Sequence, residues 1–166
     1  MASEGRFSTV QPWISLLVRL GMAGILIAAA IPKLTHIDES IRAVRAYRLL
    51  PEAVVPFVGT MLPVFELMLA LFLLLGLFTR WASYVWLLMM GAFVFGVAWA
   101  WAKGYQIDCG CFGGGGDLAE GETANYWAHM AERAGFVILG VWLAVFPKTP
   151  FSLDRWMAAK PEQAPA

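Results

Sequence analysis

Four stretches of this chain are apolar enough, and long enough, to cross a lipid bilayer as helices, and they leave little else to fold. A membrane-spanning helix needs about 20 mostly apolar residues, because backbone groups in hydrocarbon must bond within their own segment. The candidate spans lie at 13–31, 55–78, 81–102 and 127–146. Of the 166 residues 60% are hydrophobic and 14% charged, where a soluble domain has about a quarter charged. What remains is a short N-terminus, two connecting segments and a polar, flexible tail at 151–166. The predicted fold class is therefore all-α: one integral-membrane four-helix bundle over 1–150, surrounded by lipid, with no nucleic-acid partner.

Ala28-Ala29-Ala30 has the small-residue character of a signal cleavage region, but Glu4 offsets Arg6 and Arg19 interrupts the apolar run, so the first helix is expected to stay. An even number of spans puts both termini on one side. Arg6, Arg80, Lys148, Arg155 and Lys160 fall there and Lys33, Arg42, Arg45, Arg48 and Lys103 fall opposite, a tie of five against five under the positive-inside rule. The segment after the third span adds Asp108, Asp117, Glu120 and Glu122.

Between the first two spans, Thr35-His36-Ile37-Asp38 reads as a helix start capped by Thr35. A short amphipathic helix over 38–50 follows, with Ile41, Val44 and Tyr47 on one stripe, Arg42, Arg45 and Arg48 beside it, and Pro51 ending it. It is expected to lie in the membrane interface with its arginines near lipid phosphates; the competing reading is a docking surface.

Within the second span, Pro63 removes a backbone hydrogen bond and predicts a kink near Thr60. Glu66 follows, and a carboxylate at that depth needs a partner. Arg19, His129 and Arg133 are the candidates. Arg133 matches best, lying within roughly 6 Å of the same depth at 1.5 Å per residue. Such a pair either fixes helix register or carries protons, and His129 reads as hydrogen-bonded structure. Trp86, Met89, Met90 and Phe93 suggest a quinone pocket, but core packing and lipid contact explain them more simply. Trp13, Trp81, Tyr84, Trp101, Tyr105, Tyr126 and Trp127 fall at span ends, as interfacial aromatics do.

The chain's two cysteines, Cys109 and Cys111, stand one residue apart, followed by Gly113 to Gly116. Closing so small a loop stabilises a fold little, while strained or exposed disulfides are labile, so the pair points to redox exchange. Gly110 permits the bend, and the later glycines can bring backbone N–H groups toward the sulfurs. The charge of Asp108 opposes a Cys109 thiolate, which leaves Asp108 as a proton acceptor during exchange. Metal binding competes, but beyond the sulfurs only His36 and His129 are available and neither is near in sequence, so no metal site is predicted. Because disulfides persist in oxidising compartments, the cysteines are placed outside the cytoplasm of a bacterial plasma membrane, with the termini inside.

These residues carry a resemblance. The four-span layout, Ala30-Ile31-Pro32-Lys33, the arginine-rich segment 42–51, Leu62-Pro63-Val64-Phe65-Glu66 and Ile107-Asp108-Cys109-Gly110-Cys111-Phe112-Gly113 resemble the MauE/DoxX family of redox-associated membrane proteins over most of 10–147, and look most like actinobacterial members. The resemblance implies a helical bundle that supports disulfide formation in extracytoplasmic proteins, often beside a thioredoxin-fold partner, as methylamine-utilisation members do in methylamine dehydrogenase maturation. It implies that Cys109 and Cys111 are the redox pair, with Gly110, Phe112 and Gly113 in their motif, and that Lys33 and Glu66 belong to the family framework. The function expected is thiol–disulfide exchange with an extracytoplasmic thioredoxin-fold or substrate protein, with a membrane quinone as the candidate electron acceptor; the reverse flow, delivering electrons outward to a partner, fits the residues equally. Arg133 is included as a supporting residue. The alternative is a non-enzymatic scaffold subunit; a solute transporter is disfavoured because no repeat or broken-helix pair is evident.

Overall fold

A computed structural model of the chain describes residues 2–119 and 121–158, with side chains from residue 9 onward. The side chains of Glu4 and Arg6, together with Glu120, Lys160 and the tail beyond 158, lie outside that description. In chain order the elements are α1 (Ala2–Thr35), α2 (Ile37–Ala46), α3 (Val55–Leu75), α4 (Thr79–Ala102), strands β1 (Ile107–Asp108) and β2 (Gly116–Asp117), α5 (Tyr126–Val145) and α6 (Leu153–Ala158). Thr9–Thr35 of α1, together with α3, α4 and α5, are each long and apolar enough to span a membrane, as the hydropathy pattern predicts.

The helices pair as α1 on α3 and α4 on α5. Met22, Leu26, Leu69, Leu73, Trp86 and Leu143 form the buried centre between them. Trp86 is fully buried and donates its indole N–H to Phe136 O at 2.9 Å. With Met89 and Met90 also buried, this stripe is mainly core.

Pro63 positions α2. A proline lacks the N–H that would bond the carbonyl four residues earlier, which leaves Gly59 O without its helical donor. Ser40 of α2 supplies one, its Oγ donating to Gly59 O at 2.7 Å. Gly59 also permits the close approach, since a Cβ there would stand 2.7 Å from Ile41 Cα. The buried face of α2 is Ser40, Ala43 and Ala46, while Ile41 and Val44 are half-buried. The helix begins at His36 rather than at a Thr35 cap: Thr35 Oγ1 turns back to Ile31 O and Pro32 O. It ends four residues before the expected Leu50. Arg42, Arg45 and Arg48 each stand beside a carboxylate, those of Glu39, Glu52 and Asp117.

Gly59→Ala is expected to push α2 off α3 and lower stability by about 1–3 kcal/mol. Thermal unfolding in detergent reads this directly, and a midpoint equal to wild type would show that α2 does not depend on the contact.

The far end of the bundle closes differently from expectation. Where a flexible tail was predicted from 151, α6 folds back, and both Asp154 carboxylate oxygens accept the N–H groups of Phe78 and Thr79 at the start of α4, at 2.7 and 2.8 Å. Free N–H groups at a helix start favour an anionic acceptor. Arg19 also belongs to this end, donating to Thr149 Oγ1 at 3.0 Å and Phe151 O at 3.1 Å.

Candidate functional site

The segment between α4 and α5 folds back on itself at the other end of the bundle. β1 and β2 pair antiparallel, with Ile107 opposite Asp117 and Asp108 opposite Gly116, and between them runs the turn bearing the cysteines. This two-stranded ladder is the one strand element among the described residues, where the sequence pattern predicted none.

The turn is packed too tightly for side chains. Gly110 and Gly115 both have positive φ, and a Cβ on either would come within 2.6 to 2.8 Å of Ala43 Cβ on α2. Ala43 and the glycines together let α2 lie directly on the cysteine turn. The N–H of Gly114 donates to Glu39 Oε2 at 3.2 Å. It turns to α2 rather than to the sulfurs, which departs from the expectation of thiolate-stabilising backbone donors.

Both cysteines are free thiols and half-buried. α5 brings two side chains onto them. His129 Nδ1 lies 3.7 Å from Cys109 Sγ, and one helical turn later Arg133 Nη2 donates to Cys111 Sγ. Arg133 Nη1 donates to His129 O at 2.9 Å, which fixes the guanidinium. Tyr47, just beyond α2, donates its hydroxyl to Cys109 O at 3.3 Å, and burial pushes its phenol above the ordinary range. Asp108 accepts the Gly110 N–H at 3.3 Å. Phe112 is exposed at the edge of the turn and packs edge-on to Phe136, and Gly113 lies against Pro32 of α1.

The Cys111 thiol donates toward Cys109 O at 3.8 Å, and hydrogen bonding from Cys111, with the nearby charges of Arg133 and His129, holds the Cys109 thiol down at about 5. The same interaction, with burial, pushes Cys111 far up. The guanidinium on Cys111 offsets charge on the pair as a whole.

Glu66 meets a different partner from the one depth matching selected. Lys33 Nζ donates to Glu66 Oε1 at 2.7 Å and to Oε2 at 3.0 Å, with the side chains 5% and 2% exposed. The first span was expected to stop at Ile31, which put Lys33 in a connecting segment; α1 instead continues to Thr35 and carries Lys33 into the bundle. That frees Arg133 for the cysteines. A cavity of about 30 Å³, lined by Lys33, Glu66, Cys111, Arg133, Trp86 and Met90 among others, joins the ion pair to the thiol site. That is room for a water molecule.

His129 is the site residue that sequence reasoning missed. Its one signal was the four-residue spacing from Arg133, which puts both on one helix face. Ligand atoms of Asp108, Cys109 and His129 lie within 4.8 Å of one another, a donor set richer than the cysteine spacing alone suggested.

Four membrane-length helices beneath a half-buried Cys-Gly-Cys turn define a multi-pass membrane protein with a dithiol site. A family model for methylamine utilisation protein MauE matches residues 11–146, and the chain belongs to that family. Among characterised relatives, it is 36% identical over 142 residues to the methylamine utilization protein MauE of Methylorubrum extorquens, covering 84% of this chain and 74% of that one. The MauE proteins of Paracoccus denitrificans and Methylophilus methylotrophus are 33% and 37% identical over 64% and 61% of this chain. The matches span 58% and 54% of those two proteins, a little over half their length. No solved structure matches.

Proposed function

We propose that this chain is a membrane accessory protein of methylamine utilisation whose Cys109–Cys111 pair exchanges disulfides with an extracytoplasmic thioredoxin-fold or substrate protein. The observation that carries the reading is the convergence of His129 and Arg133 from α5 on two half-buried thiols, one of them acidic. The process comes from the relatives' names; the chemistry comes from the site.

In the oxidised protein, a partner thiolate attacks Cys109 Sγ. The Cys109–Cys111 bond breaks, and Cys111 leaves as a thiolate next to the Arg133 guanidinium, then takes up a proton released by the partner's thiols. The partner's second thiolate then attacks the partner sulfur of the mixed disulfide and releases Cys109. The partner dithiol loses two electrons and becomes a disulfide, and the pair gains them. The low pKa of Cys109, the thiolate released in the second step, favours this direction, because stabilising the reduced form makes a pair more oxidising.

A lipid-soluble quinone held beside Tyr47, Leu62 and Phe93 would supply the two-electron, two-proton acceptor needed to re-form the disulfide. An apolar groove of about 420 Å³ supports this acceptor class: Tyr47 lines it together with Leu62, Phe93 and Gly96 while also touching the cysteine turn.

Cys111→Ser is expected to accumulate a mixed disulfide through Cys109 that non-reducing gels and mass spectrometry identify. Cys109→Ser is expected to accumulate none and to leave the partner's thiols reduced. If both variants leave the partner's thiol state and assembly unchanged, the chain acts as a scaffold and the exchange reading is wrong.

A further inference from the structure

The end of the bundle opposite the thiols holds a cleft of about 610 Å³ that disulfide exchange does not use. Arg80 at the start of α4, Lys148 after α5 and Arg155 in α6 all line it, and all three are exposed. Among the described residues none of the three forms an ion pair, whereas Arg42, Arg45 and Arg48 at the thiol end each stand beside a carboxylate. The one carboxylate lining the cleft, Asp154, is engaged with the N–H groups of Phe78 and Thr79. Thr79 also lines it; its side chain is 1% exposed and its hydroxyl has no hydrogen-bond partner among the described residues. Three unpaired cations and an unpartnered hydroxyl therefore line one concave space.

An apolar groove of about 300 Å³ shares Phe78 and Trp81 with this cleft and continues between α3 and α4 along Phe65, Met68, Phe72 and Val85. A soluble phosphate would use the cations and leave the groove empty. A phospholipid uses both.

We propose that this paired cleft and groove bind an anionic phospholipid, with the headgroup phosphate among Arg80, Lys148 and Arg155 and an acyl chain along the groove. Guanidinium groups match phosphate oxygens in geometry as well as charge. Basic pockets between membrane helices recognise anionic headgroups on the same terms. The proposal is independent of the cysteine chemistry.

The test uses the full chain purified in an uncharged detergent, with phosphatidylglycerol, phosphatidylcholine or inorganic phosphate added, read by native mass spectrometry and thermal unfolding. Phosphatidylglycerol is expected to remain bound and raise the unfolding midpoint, and the other two are expected to do neither. Removing the cations as Arg80→Gln, Lys148→Gln and Arg155→Gln is expected to weaken binding by about five-fold each. These side chains are exposed, so the variants retain the fold. Met68→Trp, which narrows the groove and leaves every cation in place, is expected to weaken the lipid as well. Equal binding of phosphatidylcholine, or unchanged phosphatidylglycerol binding in the triple variant, overturns the site. An effect of inorganic phosphate equal to that of phosphatidylglycerol, or no effect of Met68→Trp, overturns the lipid as its occupant.

Discussion

Glu66→Ala is expected to destabilise the protein by about 3–5 kcal/mol, because it strands the Lys33 ammonium in the bundle without its counter-ion. Lys33 Nζ reaches both oxygens of Glu66, and neither side chain sees appreciable solvent. A buried pair of this kind adds little over a well-packed apolar replacement, yet removing one member leaves an uncompensated charge. The double variant Lys33→Met/Glu66→Met is therefore expected to recover most of the lost stability. Unfolding in detergent micelles separates the cases, and a Glu66→Ala protein within about 0.5 kcal/mol of wild type would sink the account, since that is the range of an ordinary surface change. The double variant also addresses chemistry. The cavity beside Cys111 connects this pair to the thiols, so slowed exchange in a stable double variant would assign Lys33 and Glu66 to proton handling. An unchanged rate would leave them to architecture.

Lys33 also marks where the sequence stopped being readable. Hydropathy located all four spans, because backbone bonding in lipid leaves helices as the only economical crossing for such segments. It misjudged the end of the first, placed at Ile31 just before Pro32 and Lys33, whereas the structure continues the helix to Thr35 and neutralises the lysine with Glu66. That one error displaced Glu66's partner and hid Arg133's position on Cys111. The buried face of α2 was illegible for another reason. Ser40, Ala43 and Ala46 carry little hydropathic signal, and their value lies in being small where α2 meets Gly59 and the cysteine turn. The cysteines stood out because the chain has two and they are one residue apart. His129 stayed hidden, because its nearness to Cys109 depends on how a loop of more than twenty residues folds back onto α5.

Alkylation of the reduced protein is expected to distinguish the two cysteines sharply. Cys109 should react with iodoacetamide with a midpoint near pH 5, whereas Cys111 should stay unreactive well into the alkaline range. At pH 7 the Cys109 thiolate then exceeds its thiol by about 100-fold, two pH units above the midpoint. Peptide mass spectrometry assigns the label to each sulfur. Hydrogen bonding from Cys111 is the largest lowering influence on Cys109, with smaller contributions from the charges of Arg133 and His129. Cys111→Ala is therefore expected to move the midpoint upward most, and Arg133→Gln to move it upward less. The sign of the accompanying stability follows from the depressed value. An unfolded cysteine titrates near about 8.5, so the stability contributed by Cys109 is complete above that pH and is lost as pH falls through about 5, while the raised Cys111 thiol subtracts stability as pH rises past about 8.5. A reduced form stabilised in this way makes the disulfide a better oxidant at neutral pH than at pH 5, relative to an unperturbed dithiol. A Cys109 midpoint near 8.5 would remove both the acidic thiolate and the argument for electron flow into the pair from its partner.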